Sequence, residues 1–251
     1  MQTAFSYFEH KTNKIKAKNQ NQIKLTDRDI GVLTFMLEMK FSTIEIIHQK
    51  FFSTTRFGST SYSLDYTRQR ISELIKRNLI QKVDSYLKLG IFQTTQNGYF
   101  YLINSSIDKT PPKPIFGIDI RTFDHDLKVS KARLQLETNR TAIGWISERS
   151  LSDHTNFDYR FPAEFRPDGI YTDRAQEQIA FELEIVRKSK ERYQRKIKYY
   201  LDYMINSSLM PGKIKKVHFI CAKETVLKLL KEETQLFSNY FKVEMSPEFN
   251  R

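Results

Sequence analysis

The clearest alternation of hydrophobic and polar residues lies in residues 179–185, where large apolar side chains alternate with an alanine and with Glu182 and Glu184. Because successive side chains of a strand point to opposite faces, this pattern predicts a strand with one apolar and one acidic face. Asp168 lies upstream in an apolar setting, at or beside a neighbouring strand that is expected to pair through a turn at residues 172–178. Three carboxylates could therefore converge on one sheet face.

The three acids allow two interpretations. Carboxylates within a few ångströms raise one another's pKa, a cost that a divalent cation would offset, so Asp168, Glu182 and Glu184 are candidate ligands of Mg²⁺ or Mn²⁺. Alternatively, Glu182 and Glu184 form the solvated face of an antiparallel strand. In that case they pair with cations such as Lys188 and Arg192 in a surface network that contributes little free energy.

Residues 25–109 follow a helical pattern first and a β pattern afterwards. Thr26 is a plausible N-cap of a first helix, a second helix follows, and a third covers residues 63–78. Strands are predicted at 79–83 and 98–103. Three short helices followed by a β-hairpin are typical of a winged helix domain.

The third helix carries the candidate DNA-binding residues. One arc of this helix is apolar and is predicted to face the core. The other arc has the mixture of hydrogen-bonding and cationic groups that a recognition helix presents to base edges and phosphates. Its members are Tyr66, Gln69, Arg70, Lys76 and Arg77, with Arg68 at the border. Any amphipathic helix exposes such residues, so the assignment depends on the order of elements and on charge.

Thr110-Pro-Pro-Lys-Pro114 is the predicted linker, because prolines favour extended backbone. Residues 115–251 are predicted to form a second, α/β domain, which makes the chain an α+β protein. Its elements are a helix, three strands, a long helix at about residues 189–205, a strand, a helix and a last strand. The long helix is strongly basic, and its Arg192 and Arg195 are further candidate DNA contacts.

Pro167-Asp168, a hairpin and Glu182-Leu-Glu184 resemble the PD-(D/E)xK nuclease-like fold. The resemblance implies that Asp168, Glu182 and Glu184 hold a catalytic metal. It also implies a lysine two residues after Glu182, where this chain has Glu184. Lys188, or else Lys190, could supply that lysine from the next element.

A longer set of motifs is similar to the replication-relaxation family of plasmid and mobile-element proteins. The set comprises Arg166-Pro-Asp-Gly169, Glu182-Leu-Glu184, Lys188-Ser189 and Arg192-Tyr193, together with His125-Asp-Leu127 at a predicted helix start. The resemblance covers most of residues 25–205. It implies a winged helix-turn-helix ahead of a PD-(D/E)xK nuclease-like domain.

Composition points to a polyanionic partner. The chain has 251 residues, 39% of them hydrophobic and 28% charged, with a net charge of +12. This excess of Lys and Arg favours nucleic acid, and the basic residues 1–24 are expected to be a flexible arm. No apolar run or leader pattern predicts a membrane segment, so we expect a cytoplasmic protein. Cys221, the single cysteine, is predicted to be buried and structural.

Two functions are consistent with the sequence. The first, which we favour, is a double-stranded DNA-binding protein of a plasmid or mobile element, acting in transcription control, replication or mobilisation. Its second domain would serve docking or assembly, including a homodimer. The alternative is an Mg²⁺- or Mn²⁺-dependent endonuclease with Asp168, Glu182, Glu184 and Lys188 as the catalytic set. The missing in-register lysine weighs against the endonuclease.

Overall fold

A computed structural model of the chain describes residues 25–53, 61–83, 90–105, 110–152, 159–206 and 214–250. Within these residues the protein is α+β, with two separate β-sheets. None of the helices described is long and apolar enough to cross a membrane. The predicted arm at residues 1–24 lies outside the described part.

The N-terminal part contains the three predicted helices. They are α1 (Asp27–Glu38), α2 (Ile44–Ile47), which continues into a π-helical segment (His48–Phe52), and α3 (Leu64–Lys76). Each begins after a residue whose side-chain hydroxyl accepts a backbone N–H of the first turn, namely Thr26, Thr43 and Ser63 respectively. Such caps satisfy the free N–H groups of a first helical turn, which is why these three helix starts could be predicted.

The N-terminal part also contains a small antiparallel sheet, with one strand between α1 and α2 and two strands after α3. Its strands β1 (Ser42–Thr43), β2 (Ile80–Val83) and β3 (Ile91–Thr94) have the order β1-β3-β2. The strand predicted at residues 79–83 is therefore confirmed.

The strand predicted at residues 98–103 is wrong, because this segment belongs to helix α4 (Gln96–Asn104). The Thr95 side chain caps the helix by accepting from the Gly98 N–H. Helical spacing then buries Tyr99 and Leu102, three residues apart, in the core. The strand that pairs with β2 is instead β3, which the hydrophobic pattern did not reveal.

The C-terminal part is built on a five-stranded sheet. Its helices are α5 (Ile120–Thr138), α6 (Glu148–Ser152), α7 (Lys190–Asn206) and α8 (Glu224–Thr234). Its strands are β4 (Gly144–Ser147), β5 (Gly169–Thr172), β6 (Gln178–Glu184), β7 (Ile214–Cys221) and β8 (Phe241–Met245). The order in the sheet is β4-β5-β6-β7-β8. The β4–β5 and β5–β6 pairs are antiparallel, whereas the β6–β7 and β7–β8 pairs are parallel.

Short 3-10 turns at Ala163–Phe165, Gln235–Phe237 and Pro247–Asn250 complete the described elements. The five-stranded sheet separates two apolar layers. Phe181 and Leu183 of β6 belong to a cluster that also contains Val129 of α5. Ala180, on the opposite face of β6, lies in the cluster formed with α7 and α8, as does the buried Cys221. The predicted burial of Cys221 is confirmed.

The N-terminal and C-terminal parts share one of these apolar layers. The cluster that contains Phe181 also includes the buried residues of α1 and α2. Ion pairs cross the same contact, from Lys40 to Asp126 at 2.7 Å and from Arg133 to Glu38 at 2.5 Å. The predicted linker at residues 110–114 has no helix or strand. The N-terminal and C-terminal parts are therefore packed against each other.

Candidate functional site

The two glutamates of β6 lie on the sheet face that α7 covers. Glu182 is 2% exposed and Glu184 is 1% exposed. The alternative that they form the solvated face of an antiparallel strand is therefore wrong, because α7 excludes water from this face and β6 has a parallel neighbour, β7, on one side. A weak surface network is excluded by the same burial.

Each glutamate has one lysine and one tyrosine as partners. Lys196 and the Tyr200 hydroxyl, both on α7, donate to the two carboxylate oxygens of Glu182 at 2.5 Å each. Lys188 contacts Glu184 at 2.8 Å, and the Tyr193 hydroxyl donates to it at 3.2 Å. Buried carboxylates need such partners, because an unpaired charge in a low-dielectric interior is costly.

Asp168 lies directly before the first residue of β5, close to the two glutamates. Its Oδ2 accepts the Leu183 N–H at 2.8 Å and lies 3.4 Å from Nε2 of His125 on α5. The cluster thus contains three carboxylates and three groups that can carry positive charge, namely His125, Lys188 and Lys196. We call these six residues the acidic cluster.

The pKa values show how strongly these groups interact. Burial, with the nearby charges of Asp168 and Glu184, raises the pKa of Glu182 to about 7 despite the attraction of Lys196. Burial opposes ionisation of Asp168, yet the charge and hydrogen bond of His125 lower the Asp168 pKa to about 2. Asp168 in turn outweighs burial at His125 and raises the His125 pKa to about 9. Asp168 and His125 are therefore an ion pair at neutral pH.

The lysines of the cluster only partly match the sequence prediction. Lys188 does reach Glu184, but Lys190 pairs with Glu233 on the surface. Sequence reasoning missed Lys196. The sequence signal for Lys196 is its position on the apolar stripe of α7, three residues after Tyr193 and four before Tyr200. A lysine on the buried side of a helix needs an acidic partner.

The cluster fits a divalent cation poorly. Both oxygens of Glu182 and of Glu184, and Oδ2 of Asp168, already accept hydrogen bonds from the chain. The lysine ammonium groups stand where a cation would neutralise the acids. Within the described ranges, no group of three or more His, Cys, Asp or Glu side chains is arranged to hold a metal ion. As folded, these residues supply their own positive charge.

The second candidate site is the exposed face of α3. Thr67, Ile71 and Leu74 are buried. The side chains of Tyr66, Arg68, Gln69, Lys76 and Arg77 are exposed. We call these five the α3 face. Tyr66 stacks on Tyr62 with ring centroids 4.3 Å apart, and Arg68 pairs with Asp65 at 2.8 Å.

Arg70, also predicted to contact DNA, lies elsewhere. Its guanidinium donates to both carboxylate oxygens of Asp29, at 2.9 and 2.6 Å, and to Glu73 at 2.5 Å. Asp29 is 1% exposed and also closes the capping box of α1. The Arg70 side chain, 18% exposed, holds α3 against α1, and we do not retain it as a base-contacting residue.

Arg70→Ala should accordingly reduce stability rather than sequence preference. The change leaves the buried Asp29 carboxylate without its guanidinium partner, which costs about 2–4 kcal/mol of the free energy of unfolding. Urea unfolding at pH 7 measures the loss. Arg68→Ala is the matched control, because its ion pair with Asp65 is exposed and should contribute less than about 1 kcal/mol. Equal losses in the two variants would contradict this role of Arg70.

The basic side of α7 faces away from the sheet. Arg192, Arg195 and Lys198 are exposed, whereas Tyr193, Ile197 and Tyr200 on the opposite side are buried. The two predicted DNA contacts on α7, Arg192 and Arg195, are thus accessible. They lie on a different helix from the α3 face, in the C-terminal part of the chain.

No protein-family model matches the chain, and comparisons with curated proteins and with solved structures give no significant match. The similarity to the replication-relaxation family thus remains an expectation from the short motifs around Asp168 and Glu182.

Proposed function

We propose that the protein binds double-stranded DNA and that the α3 face makes the principal contact. The observation that carries the proposal is the composition of this face: a tyrosine, an amide and three cations are exposed on one helix whose opposite side is buried. Among the described residues, the side chains of Gln69, Lys76 and Arg77 have no hydrogen-bond or ion-pair partner. They are available to a ligand.

The proposal includes a winged helix arrangement of residues 25–109. Three helices, with β1 between the first two and with β2 and β3 after the third, are consistent with it, as is the antiparallel sheet order β1-β3-β2. In that arrangement α3 would enter the major groove, where Gln69 and Arg68 would reach base edges. Lys76 and Arg77, at the C-terminal end of α3, would contact phosphates.

Two further features support DNA as the ligand. The net charge of +12 attracts a polyanion at long range and speeds association. Arg192 and Arg195 on α7 would add phosphate contacts, either on the same duplex or on a second one. We take the second domain as a nuclease-like but non-catalytic unit of a plasmid or mobile-element protein, acting in transcription control, replication or mobilisation.

The proposal is tested by two double variants of equal charge change. Lys76→Ala/Arg77→Ala should weaken binding to every duplex of a random-sequence pool. Because each lost phosphate contact removes about 0.9 from the slope of log K against log salt, the slope should fall by about 2. Lys228→Ala/Lys231→Ala on α8 is the control and should leave the slope unchanged. Fluorescence anisotropy across a salt series measures both.

Sequence preference is assigned to Gln69. Gln69→Ala should reduce the discrimination among duplexes selected from the pool by about 1–3 kcal/mol, the value of a good bidentate base contact. Equal loss of DNA binding in the α3 and α8 double variants would reject the α3 face. Nicking of supercoiled DNA by wild type with Mg²⁺, abolished by Asp168→Asn, would support the endonuclease alternative instead.

A further inference from the structure

Strand β8 (Phe241–Met245) is the last strand of the five-stranded sheet. It pairs with β7 on one side. Among the residues that the structure describes, no strand pairs with its other side. An open edge is a ready template for another strand, and the addition of a strand from a second chain is a recurring mode of recognition.

The backbone hydrogen bonds of β8 show which groups face outward. The Tyr240 carbonyl accepts from the Val217 N–H at 2.8 Å, and the Ser246 N–H donates to the Cys221 carbonyl at 2.9 Å. The N–H and C=O of one strand residue point to the same side, and successive residues alternate between the two sides. The backbone groups of Lys242 and Glu244 therefore also face β7. The outer edge therefore presents the N–H and C=O groups of residues 241, 243 and 245.

We propose that a second copy of this chain binds to this edge, with β8 pairing antiparallel to β8 around a two-fold axis at Val243. Val243 then faces Val243 of the other copy, and Phe241 faces Met245. These are the outward-facing residues, and each such pair exchanges two hydrogen bonds, giving about six in all. A symmetric pair of this kind is the commonest protein assembly, because one self-complementary surface is sufficient.

The side chains of β8 select this register. Within one chain Lys242 lies 2.6 Å from Glu244, and Glu244 also lies 2.9 Å from the buried His218. With the axis at Val243, Lys242 of each copy lies opposite Glu244 of the other, in the closer, non-hydrogen-bonded type of pair, so the two copies join their charges into one alternating row. Moving the axis by one residue would place Lys242 opposite Lys242 or Glu244 opposite Glu244, and would also turn the wrong backbone groups to the interface. Moving the axis by two residues would again bring outward-facing backbone groups together, but fewer residues of the two β8 strands would then be paired.

Apolar side chains near β8 extend the surface. Leu236, in the 3-10 turn that precedes the strand, is 90% exposed, and Phe237, Tyr240 and Met245 are also exposed. Clustered exposed apolar residues are a common mark of a protein interface. The opposite edge strand, β4, has the sequence Gly144-Trp-Ile-Ser147 and lacks any charged residue that could select a register.

The test measures the mass of the full chain by light scattering over a concentration series without DNA, so its result is independent of the DNA-binding proposal. Wild type should move from 29.8 kDa toward twice that mass. Lys242→Glu places glutamates opposite Glu244 at both ends and should weaken the dimer roughly tenfold or more. Glu244→Lys should act likewise through opposed lysines. Because it also removes the Glu244 contact with the buried His218, its circular dichroism spectrum is compared with that of wild type. An equimolar mixture of the two variants should dimerise, because both acidic positions of one variant then face lysines of the other.

Val243→Pro tests the backbone pairing separately. It removes an N–H that points outward, so the bonding of β8 to β7 is retained and proline is tolerated at such an edge position. This variant should be monomeric, with a circular dichroism spectrum like that of wild type. A wild type that stays at 29.8 kDa throughout the series would overturn the proposal. So would a dimer that survives Val243→Pro, or single variants whose mixture fails to associate although each is folded.

Discussion

Lys196→Met should be among the most damaging single changes in the C-terminal part, with a loss of about 3–5 kcal/mol in the free energy of unfolding at pH 8. The Lys196 side chain is 12% exposed and Glu182 is its 2.5 Å partner. Burial lowers the pKa of Lys196, but Glu182, Glu184 and Asp168 more than offset this and hold the pKa above its ordinary value. Its removal leaves the buried Glu182 bonded to Tyr200 alone, so Glu182 must either keep an uncompensated charge or take up a proton.

The loss should depend on pH in a defined direction. The folded-state pKa of Glu182, about 7, lies above its ordinary value of 4.5. The folded protein therefore binds an extra proton between these values, and the contribution of Glu182 to stability falls as pH rises from 4.5 to 7. Without Lys196 the Glu182 pKa should be higher still. The deficit of Lys196→Met should thus be largest at pH 8 and smaller at pH 5.

Urea unfolding of three variants at both pH values would check this. Lys196→Arg keeps the charge and should lose less than Lys196→Met. Lys188→Met is the matched control, because Lys188 is 31% exposed and water can partly replace it beside Glu184. A deficit that is the same at pH 5 and pH 8, or as large in Lys188→Met, would show that the buried Lys196–Glu182 pair is not its source.

The acids of this cluster could be predicted from the sequence, whereas most of their partners could not. Glu182 and Glu184 occupy the polar positions of a strong strand alternation, which is a local signal. Lys196 and Tyr200 reach Glu182 from α7, and His125 reaches Asp168 from α5. Such contacts depend on which face of the sheet each helix covers, and hydrophobic periodicity alone does not determine that. The metal hypothesis arose because the acids were visible without their lysines.

The N-terminal part shows the same division between local and tertiary signals. Helices with polar caps were predicted well because the cap and the first turn are adjacent in sequence. Residues 98–103 were predicted as a strand because aromatic residues favour β structure, yet the Thr95 cap and the burial of Tyr99 and Leu102 produce a helix. Arg70 was placed on the exposed arc of α3 by angle alone, and only the packing of α1 brings Asp29 to it.

The second large effect is expected at the contact between the two parts of the chain. Arg133 of α5 is 9% exposed, pairs with Glu38 of α1 at 2.5 Å and with Glu137 at 3.0 Å, and shares Glu137 with Lys50. Burial lowers the pKa of Arg133, but Glu38 and Glu137 outweigh it and keep the guanidinium charged. Arg133→Met would leave two mostly buried carboxylates with one lysine, so we expect a loss of about 3–5 kcal/mol.

Because Arg133 joins both parts, its removal should lower the midpoint of unfolding for both. Trp145, the only tryptophan, reports on the C-terminal part by fluorescence, and circular dichroism reports on all helices. The two probes should give coincident transitions in wild type, as expected when the parts unfold together. Lys131→Met, an exposed change on the same helix, should stay within about 0.5 kcal/mol of wild type.

A double variant identifies the source of the effect. Glu38→Gln alone should destabilise the protein, because it weakens the Arg133 pair. In the Arg133→Met background the same change removes an unpaired carboxylate, so it should cost much less or restore stability, giving a coupling energy of about 1–3 kcal/mol. Additive losses in the double variant would show that Arg133 acts through its aliphatic packing. In that case the ion pair with Glu38 would not be what holds α5 to α1.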